Sequence, residues 1–560
     1  MQSDLRQAAK RIVGRRNVLS SERATSRFRT GYRTGKNPAK LVLLPGTLRE
    51  LWDVLNLCVE HDLAIIMQAA NTSLTGGSTP NGNYDRAVVI INTRRIDKLH
   101  YLPKQRQVIA QAGATLFALE ELLKPIGREP HSVIGSSCIG ASVVGGVCNN
   151  SGGALVNRGP AYTDYAVFAR INSDRSIELV NALGVELGDT PEEMLTALDT
   201  SRLEGANVIC NSADASDKAY KSWVRDTAAT SAARFNADPR RLSGASGCAG
   251  KIVVFAVRLD TFEKPRRETT FFIKASDPDA LTTLRRTFLE SNLPLPVSAE
   301  YLHADLLRVS SIYGRDTIYL IKWLGTKCLP SFFALKGSFD SWVERFSILP
   351  QQLSDYLLQL LSKVLPQPIP KRFRAFAPTH PHILLLKVAD DAIDGTKGLL
   401  KELSVDVDIR STECSADEAQ QVFLLRFAAA GAALRQLSVH PNLFEDVIAL
   451  DVALPRCATT WFENPADNPV FEHLVPLLYG HFFCHVFHQD YLVKKGQDVA
   501  LIKQALLSDL DRRGAKYPAE HNVGHHYEAD AALQSFYRGL DPTNTLNPGI
   551  GKMSKRRSYE

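Results

Sequence analysis

The 560-residue chain carries 66 Lys and Arg against 60 Asp and Glu, with 44% hydrophobic and 22% charged residues. That composition excludes a disordered or fibrous chain, and a net charge of +6 is too mild to argue for nucleic acid. No stretch reaches the roughly 18 consecutive apolar residues of a membrane span.

Nine cysteines form no C-x-x-C pair, which argues against zinc and iron–sulfur ligation and for reduced thiols. Met1 to Leu19 is rich in Lys and Arg without an apolar leader core, so a cytoplasmic protein is expected.

In chain order, Lys40 to Pro45 and Leu63 to Met67 read as strands around a helix over 47–62. That helix has apolar residues at 48, 51, 54, 55, 58 and 59 and a Thr47/Glu50 capping box. The second strand empties into Ala69-Ala70-Asn71-Thr72-Ser73-Leu74-Thr75-Gly76-Gly77-Ser78-Thr79-Pro80. Its small side chains leave backbone N–H groups bare, as an anion site needs, although an ordinary turn has the same residues. A second low-bulk stretch, Ile134 to Gly153, lacks the G-x-G-x-x-G spacing of a Rossmann site. It contains Gly135, Ser136, Ser142, Gly145 and Gly152. Two such stretches suggest one extended ligand threaded through backbone.

Residues 190–238 turn polar and read as a surface excursion. Lys251 to Leu259 reads as a buried strand that closes the first domain. Beyond Lys264, strands alternate with helices such as 279–290 and 416–437, the pattern of a second α/β unit. Between them, residues 315–387 carry ten basic and four acidic residues, as much net charge as the whole chain. Apolar groups are interleaved there, a pattern shared by a membrane-docking surface and by a solvated basic face.

Together with Gly247-Cys248-Ala249-Gly250-Lys251-Ile252, the two low-bulk stretches resemble the FAD-binding domain of the vanillyl-alcohol-oxidase type. From about Leu41 to Lys555, including Gly127-Arg128-Glu129-Pro130-His131-Ser132-Val133-Ile134, the chain is similar to the bacterial quinone-dependent D-lactate dehydrogenases, a family of respiratory flavoenzymes. The resemblance implies an α+β (mixed α/β) fold with an FAD-binding domain over 1–260, completed by 511–560. A substrate cap over 261–314 and 388–510 would then enclose a mainly helical membrane-binding insertion at 315–387.

It also implies oxidation of D-lactate to pyruvate, non-covalent FAD, a membrane quinone as acceptor, and an anionic membrane surface as partner. No nucleic-acid partner is implied, and the location would be the cytoplasmic face of the inner membrane. The FAD contacts would come from Ala69, Ala70, Asn71, Thr72, Ser73, Gly77, Ser78, Gly135, Ser136, Ser142, Gly145, Gly152, Gly250 and Ile252. The alternatives are a soluble FAD enzyme for another D-2-hydroxy acid, such as 2-hydroxyglutarate or glycolate, and a silent flavin-binding electron carrier.

Oxidising a 2-hydroxy acid needs a base, a cation for the carboxylate and a hydride acceptor. Six of the fourteen histidines lie between His481 and His526. Glu520-His521-Asn522-Val523-Gly524 resembles the Glu-His-Gly-x-Gly segment of FAD-linked 2-hydroxy-acid dehydrogenases, which makes His521 the expected base beside Glu520 and His488. Lys494, Lys495, Arg435 and Arg426 are open for the carboxylate, with Lys494 taken first. In some of those relatives two histidines seven apart and the glutamate hold a divalent metal, here His481, His488 and Glu520. Phe482 to Phe487 departs from their Gly-Asp-x-Asn core, so a metal-free site is the expectation.

Overall fold

The computed structural model describes residues 2–31, 37–132, 140–200, 208, 212–326, 329–343, 346, 350, 352–374, 379–463 and 468–560. Leu41–Leu43, Val88–Asn92 and Ala64–Gln68 pair in parallel in a four-stranded sheet. The helix Leu48–Glu60 makes the crossover, its N-terminus capped by Thr47 Oγ1 accepting from Glu50 N at 3.0 Å. A five-stranded antiparallel sheet follows, with Val253–Asp260 at its centre between Gln107–Gln111 and Ala166–Ile171. The late strand therefore closes the sheet by filling its middle, and all but its last residue is buried.

The remainder is built on a seven-stranded antiparallel sheet. Its order is Ile409–Glu413, Glu268–Ala275, His382–Ala389, Ser298–His303, Leu474–His481, Val486–Lys494 and Phe444–Ala453. Helices Pro278–Glu290, Ala392–Asp406 and Val499–Arg512 cover one face through Leu281, Leu400 and Leu506. Helices Ala304–Tyr313 and Ala416–Val439 cover the other through Leu306, Val422 and Leu425.

Two expected boundaries move. His382–Ala389 is a sheet strand, so the basic segment's helices end well before residue 387. Residues 515 and 519 still pack on the large sheet's core, so the return to the first sheet comes later than 511. It is made where Leu546 bridges Ile65 in parallel. The supposed surface excursion is partly buried: Tyr220, Val224, Ala232 and Ala233 belong to the large sheet's core.

Three helices, Arg315–Leu324, Leu329–Val343 and Leu353–Val364, occupy the basic segment. The last is turned inside out relative to a soluble helix. Leu357, Leu360, Leu361 and Val364 are 51%, 59%, 50% and 78% exposed, while Ser354, Asp355 and Ser362 are buried. Spacing of three and four puts the four apolar groups on one face. Arg435 of the long helix holds the polar face in, donating from Nε to Asp355 Oδ1 at 2.7 Å and from Nη2 to Asp316 Oδ2 at 3.2 Å.

Removing Arg435 takes the buried cation from Asp316 and leaves Asp355 to Lys336 at 3.1 Å, at a cost of about 3–5 kcal/mol. Arg435→Leu is therefore expected to loosen residues 315–364 selectively. Limited proteolysis should cut there first while the rest of the chain resists. Unchanged cleavage kinetics would show that the ion network does not hold these helices down.

Candidate functional site

Four strands of the large sheet deliver an ionic row. Register sets Glu300 opposite His481 and Asp451 opposite His488, while the hairpin joining Leu474–His481 to Val486–Lys494 puts the two histidines on a diagonal. Leu302 and Tyr479, two residues away on the same strands, lie in the core beneath the long helix. The row therefore faces that helix. His485, between the histidines in sequence, sits in the left-handed region at φ 52° in the hairpin turn. Its Nδ1 donates to Pro455 O at 3.0 Å, away from the row.

His481 donates from Nδ1 to Glu300 Oε1 at 2.6 Å and from Nε2 to Glu520 Oε2 at 3.1 Å. Burial opposes its charge, but Glu300 and Glu520 outweigh burial and lift it to about 10, so His481 is an imidazolium at neutral pH. Burial likewise opposes the two carboxylates. His481 and Arg426 nevertheless hold Glu300 below its ordinary value, and His481 and Arg234 hold Glu520 well below its own. Arg234 Nη2 reaches Glu520 Oε1 at 2.5 Å, and a Cβ on Gly152 would stand 2.4 Å from the same oxygen. Burial keeps His488 neutral, with Nδ1 3.5 Å from Asp451 Oδ1 and Nε2 3.5 Å from His481 Nε2.

Asp451 Oδ2 accepts from Glu520 N at 2.7 Å and His521 N at 3.2 Å, and lies 3.8 Å from His521 Nε2. One carboxylate thus fixes the backbone turn and stands close to the ring. Burial pushes the Asp451 carboxyl up, while the charge of His521 pulls it back. His521, with its side chain 38% exposed, and His488, Glu520, Glu300 and Arg426 line a cavity of about 1800 Å³.

The loop after Ala64–Gln68 forms part of the wall of this cavity through Thr72 and Leu74, as do Ser151 and Gly152. Ala69, Ala70, Asn71, Thr72, Ser73, Gly77 and Ser78 are half-buried. Asn71 takes φ 58°, bonded through Nδ2 to Thr30 O at 2.9 Å and through Oδ1 to Ser78 Oγ at 2.8 Å. Ser142 caps the helix Val143–Cys148 by accepting from Gly145 N at 3.0 Å, and a Cβ on Gly145 would meet that hydroxyl at 2.6 Å.

The carboxyl-terminal return locks this wall. Asn547 accepts from Met67 N at 3.0 Å and donates to Gly77 O at 3.0 Å and Ala249 O at 2.9 Å. Gly250, at φ 77°, leaves no room for a Cβ, which would stand 2.6 Å from Asn547 Nδ2. The Ile252 side chain is buried in an apolar cluster and offers a ligand only backbone. Gly135 and Ser136 lie outside the described residues. The segment after His521 is bonded to the loop, with Thr75 Oγ1 donating to Asn522 O at 2.8 Å and His525 N to Thr75 O at 2.9 Å.

Among the expected carboxylate ligands, Lys494 is displaced. It is the exposed last residue of its strand, six residues beyond His488, and Nζ donates to Glu472 O at 2.6 Å. Lys495 pairs with Glu445 at 3.1 Å, and Arg435 serves the helix network. Arg426 is the cation the fold brings to the row, its Nε 2.8 Å from Glu300 Oε2 and its guanidinium 4.4 Å from the centre of the Tyr479 ring. The metal triad does converge: ligand atoms of His481, His488 and Glu520 all lie within 4.8 Å of one another.

Sequence reasoning missed Asp451, Glu300 and Arg234. A lone acid inside each of the apolar runs 447–453 and 295–302 was the available signal for the first two.

A family model described as D-lactate dehydrogenase, membrane binding, matches residues 270–559, and an FAD binding domain model matches residues 39–171. A quinone-dependent D-lactate dehydrogenase of Escherichia coli (strain K12) is 50% identical, over 98% of this chain and 96% of that protein. Its counterpart in Haemophilus influenzae is 47% identical over 98% of each chain. Among solved structures, p-cresol methylhydroxylase with substrate bound aligns at a TM-score of 0.59 and 12% identity, covering 99% of this chain and 97% of that one. That likeness speaks for the fold alone.

Arg234→Met should strand the buried Glu520 carboxylate on one side, costing about 3–5 kcal/mol. Urea unfolding of the variant checks this. A loss below about 1 kcal/mol would reduce the Arg234–Glu520 pair to the standing of a surface contact.

Proposed function

This chain belongs to the quinone-dependent D-lactate dehydrogenases, and on that premise we propose that its ionic row is the machinery for dehydrogenation, with His521 as the base. It is an FAD oxidoreductase that oxidises D-lactate and passes the electrons to quinone, and it associates peripherally with membrane. When bound, FAD supplies the hydride acceptor.

The low-bulk walls support its seat. A cradle where Cβ atoms on Gly145, Gly152 and Gly250 would collide with neighbouring side chains is backbone brought close, as a dinucleotide requires. Ala69 to Ser73, Gly77, Ser78, Ser142, Gly145 and Gly152 would line it, with Gly250 and Ile252 behind. The loop from Ala69 to Pro80 contains no His, Cys or Tyr, which supports non-covalent binding.

The observation that carries the role of His521 is its position on the cavity with Asp451 Oδ2 3.8 Å from Nε2. Taking the hydroxyl proton makes the ring a cation, and the carboxylate at that distance stabilises it. Arg426, on the same cavity at the Glu300 end of the row, offers N–H groups to the substrate carboxylate. The imidazolium of His481 needs no turnover in this scheme. It holds Glu300 and Glu520, and so holds Arg426 and the backbone of His521.

A divalent cation on His481, His488 and Glu520 is the second reading, supported by their convergence. It would replace the proton on His481 Nε2 and polarise the hydroxyl.

For the membrane, nine of the sixteen exposed large apolar side chains among the described residues fall between Trp323 and Val364. Exposed Lys371, Arg372 and Arg374 stand at the edge of that segment. Apolar burial joined to basic charge fits an anionic leaflet, and the cytoplasmic one is negative.

His521→Ala should retain FAD while slowing anaerobic flavin reduction by D-lactate roughly 10²–10⁴-fold. A rate near wild type removes His521 from the role, and loss of wild-type activity in EDTA restored by zinc or manganese moves the chemistry to the cation.

Replacing Lys371, Arg372 and Arg374 by glutamate should weaken binding to anionic vesicles and leave flavin reduction intact. Sedimentation with vesicles measures it, and undiminished binding would assign these residues to a solvated face.

A further inference from the structure

The long helix Ala416–Val439 has the length and hydropathy of a membrane span, yet only 39% of its most apolar window is buried. Its covered face packs Val422, Leu425, Ala429 and Ala432 into the core. Another face, at Ala419, Phe423, Phe427, Ala430, Leu434 and Ser438, lines the same cavity as the ionic row. Steps of three and four make these one stripe, about 28 Å long at 1.5 Å per residue. Phe427 directly follows Arg426, the residue paired with Glu300.

The cavity's other walls connect two regions that the reaction must join. Thr72 and Leu74 belong to the loop of the flavin domain, and Thr317, Ile321, Gly337 and Tyr356 to the basic, apolar-surfaced helices. The cleft thus runs without a break from the ionic row to the membrane-docking segment. It holds unfilled space along the stripe, since a Cβ built on Gly431 meets nothing within 4 Å.

We propose that this apolar stripe of the long helix is the docking groove for the quinone, with the ring toward Phe427 and the flavin loop and the isoprenoid tail passing between the basic helices to the leaflet. The inference rests on the quinone-dependent reading above and assigns the acceptor a place. Continuity decides the occupant. A polar 2-hydroxy acid is served by Arg426 and His521, whereas a long apolar face open to the membrane segment suits a lipid-soluble acceptor. The quinone gains the two electrons and, in net balance, the two protons that D-lactate loses in becoming pyruvate, and leaves as the quinol. The hydroxyl proton passes by way of His521, and the remaining proton and both electrons leave D-lactate as the C2 hydride.

The test photolabels the FAD-loaded protein on anionic vesicles with a short-chain azidoquinone and maps the modified peptide. Labelling within 416–439, displaced by unlabelled quinone, is the expected result. Gly431→Trp places a large ring in the groove from a position where a Cβ meets nothing within 4 Å. It should cut labelling and quinone reduction about tenfold or more while anaerobic bleaching by D-lactate, reduction of a soluble dye and vesicle binding stay within about twofold. Leu434→Gln gives the same pattern by polarity rather than bulk, and Gly431→Ala serves as the control. Labelling confined to other segments, no labelling at quinone concentrations that support turnover, or unchanged quinone reduction in both variants would overturn the groove. Failure of D-lactate to bleach the wild-type flavin would instead overturn the reading on which it rests.

Discussion

The Glu520 carboxylate, buried between Arg234 and His481, is the interaction on which the site depends. Arg234 comes from the irregular segment before the strand Val253–Asp260, His481 from the large sheet, and Gly152 of the flavin wall closes over the same oxygen. A buried ion pair contributes little net stability once desolvation is counted, but it is costly to half-break and demands one geometry. Here that geometry aligns the low-bulk wall with the ionic row. Asp451 completes it by gripping Glu520 and His521 through their backbone, so His521, the proposed base, inherits its position from the sheet rather than from its loop.

The same logic, moved to the surface, governs the membrane segment. Arg435 draws Asp316 and Asp355 inward, which forces the apolar face of the helix Leu353–Val364 outward. In water that arrangement exposes apolar area at a cost of roughly 25 cal/mol per Å². Against a leaflet the cost becomes the driving force for docking. One helix, Ala416–Val439, serves both ends, with Arg426 at the ionic row and Arg435 at the docking helices.

The low-bulk loop at 69–80, the histidine cluster and the basic segment were legible in the sequence because each announces itself locally, by side-chain size, residue type or charge. The metal-type triad His481, His488 and Glu520 followed from spacing and resemblance, and the fold does bring its atoms together. Glu300 and Asp451 showed in the sequence only as lone acids in apolar runs, and their role was hidden because only strand register sets them opposite His481 and His488. Arg234 hid in a polar stretch that looks like surface, since burial of a charged residue depends on a partner 286 positions away. Lys494 misled for the converse reason: alternation puts it on the face of His488, but it lies six residues along, at the exposed end of the strand just past buried Val493, where it turns to Glu472.

A crystal structure of the FAD-loaded protein with oxamate, a non-reacting analogue of the 2-oxo acid, tests the role of His521 most directly. The analogue's 2-oxygen is expected within hydrogen-bond distance of His521 Nε2 and its carboxylate on Arg426, with Glu520 still between Arg234 and His481. An analogue bound away from His521, or a Glu520 released from that pair, would contradict it.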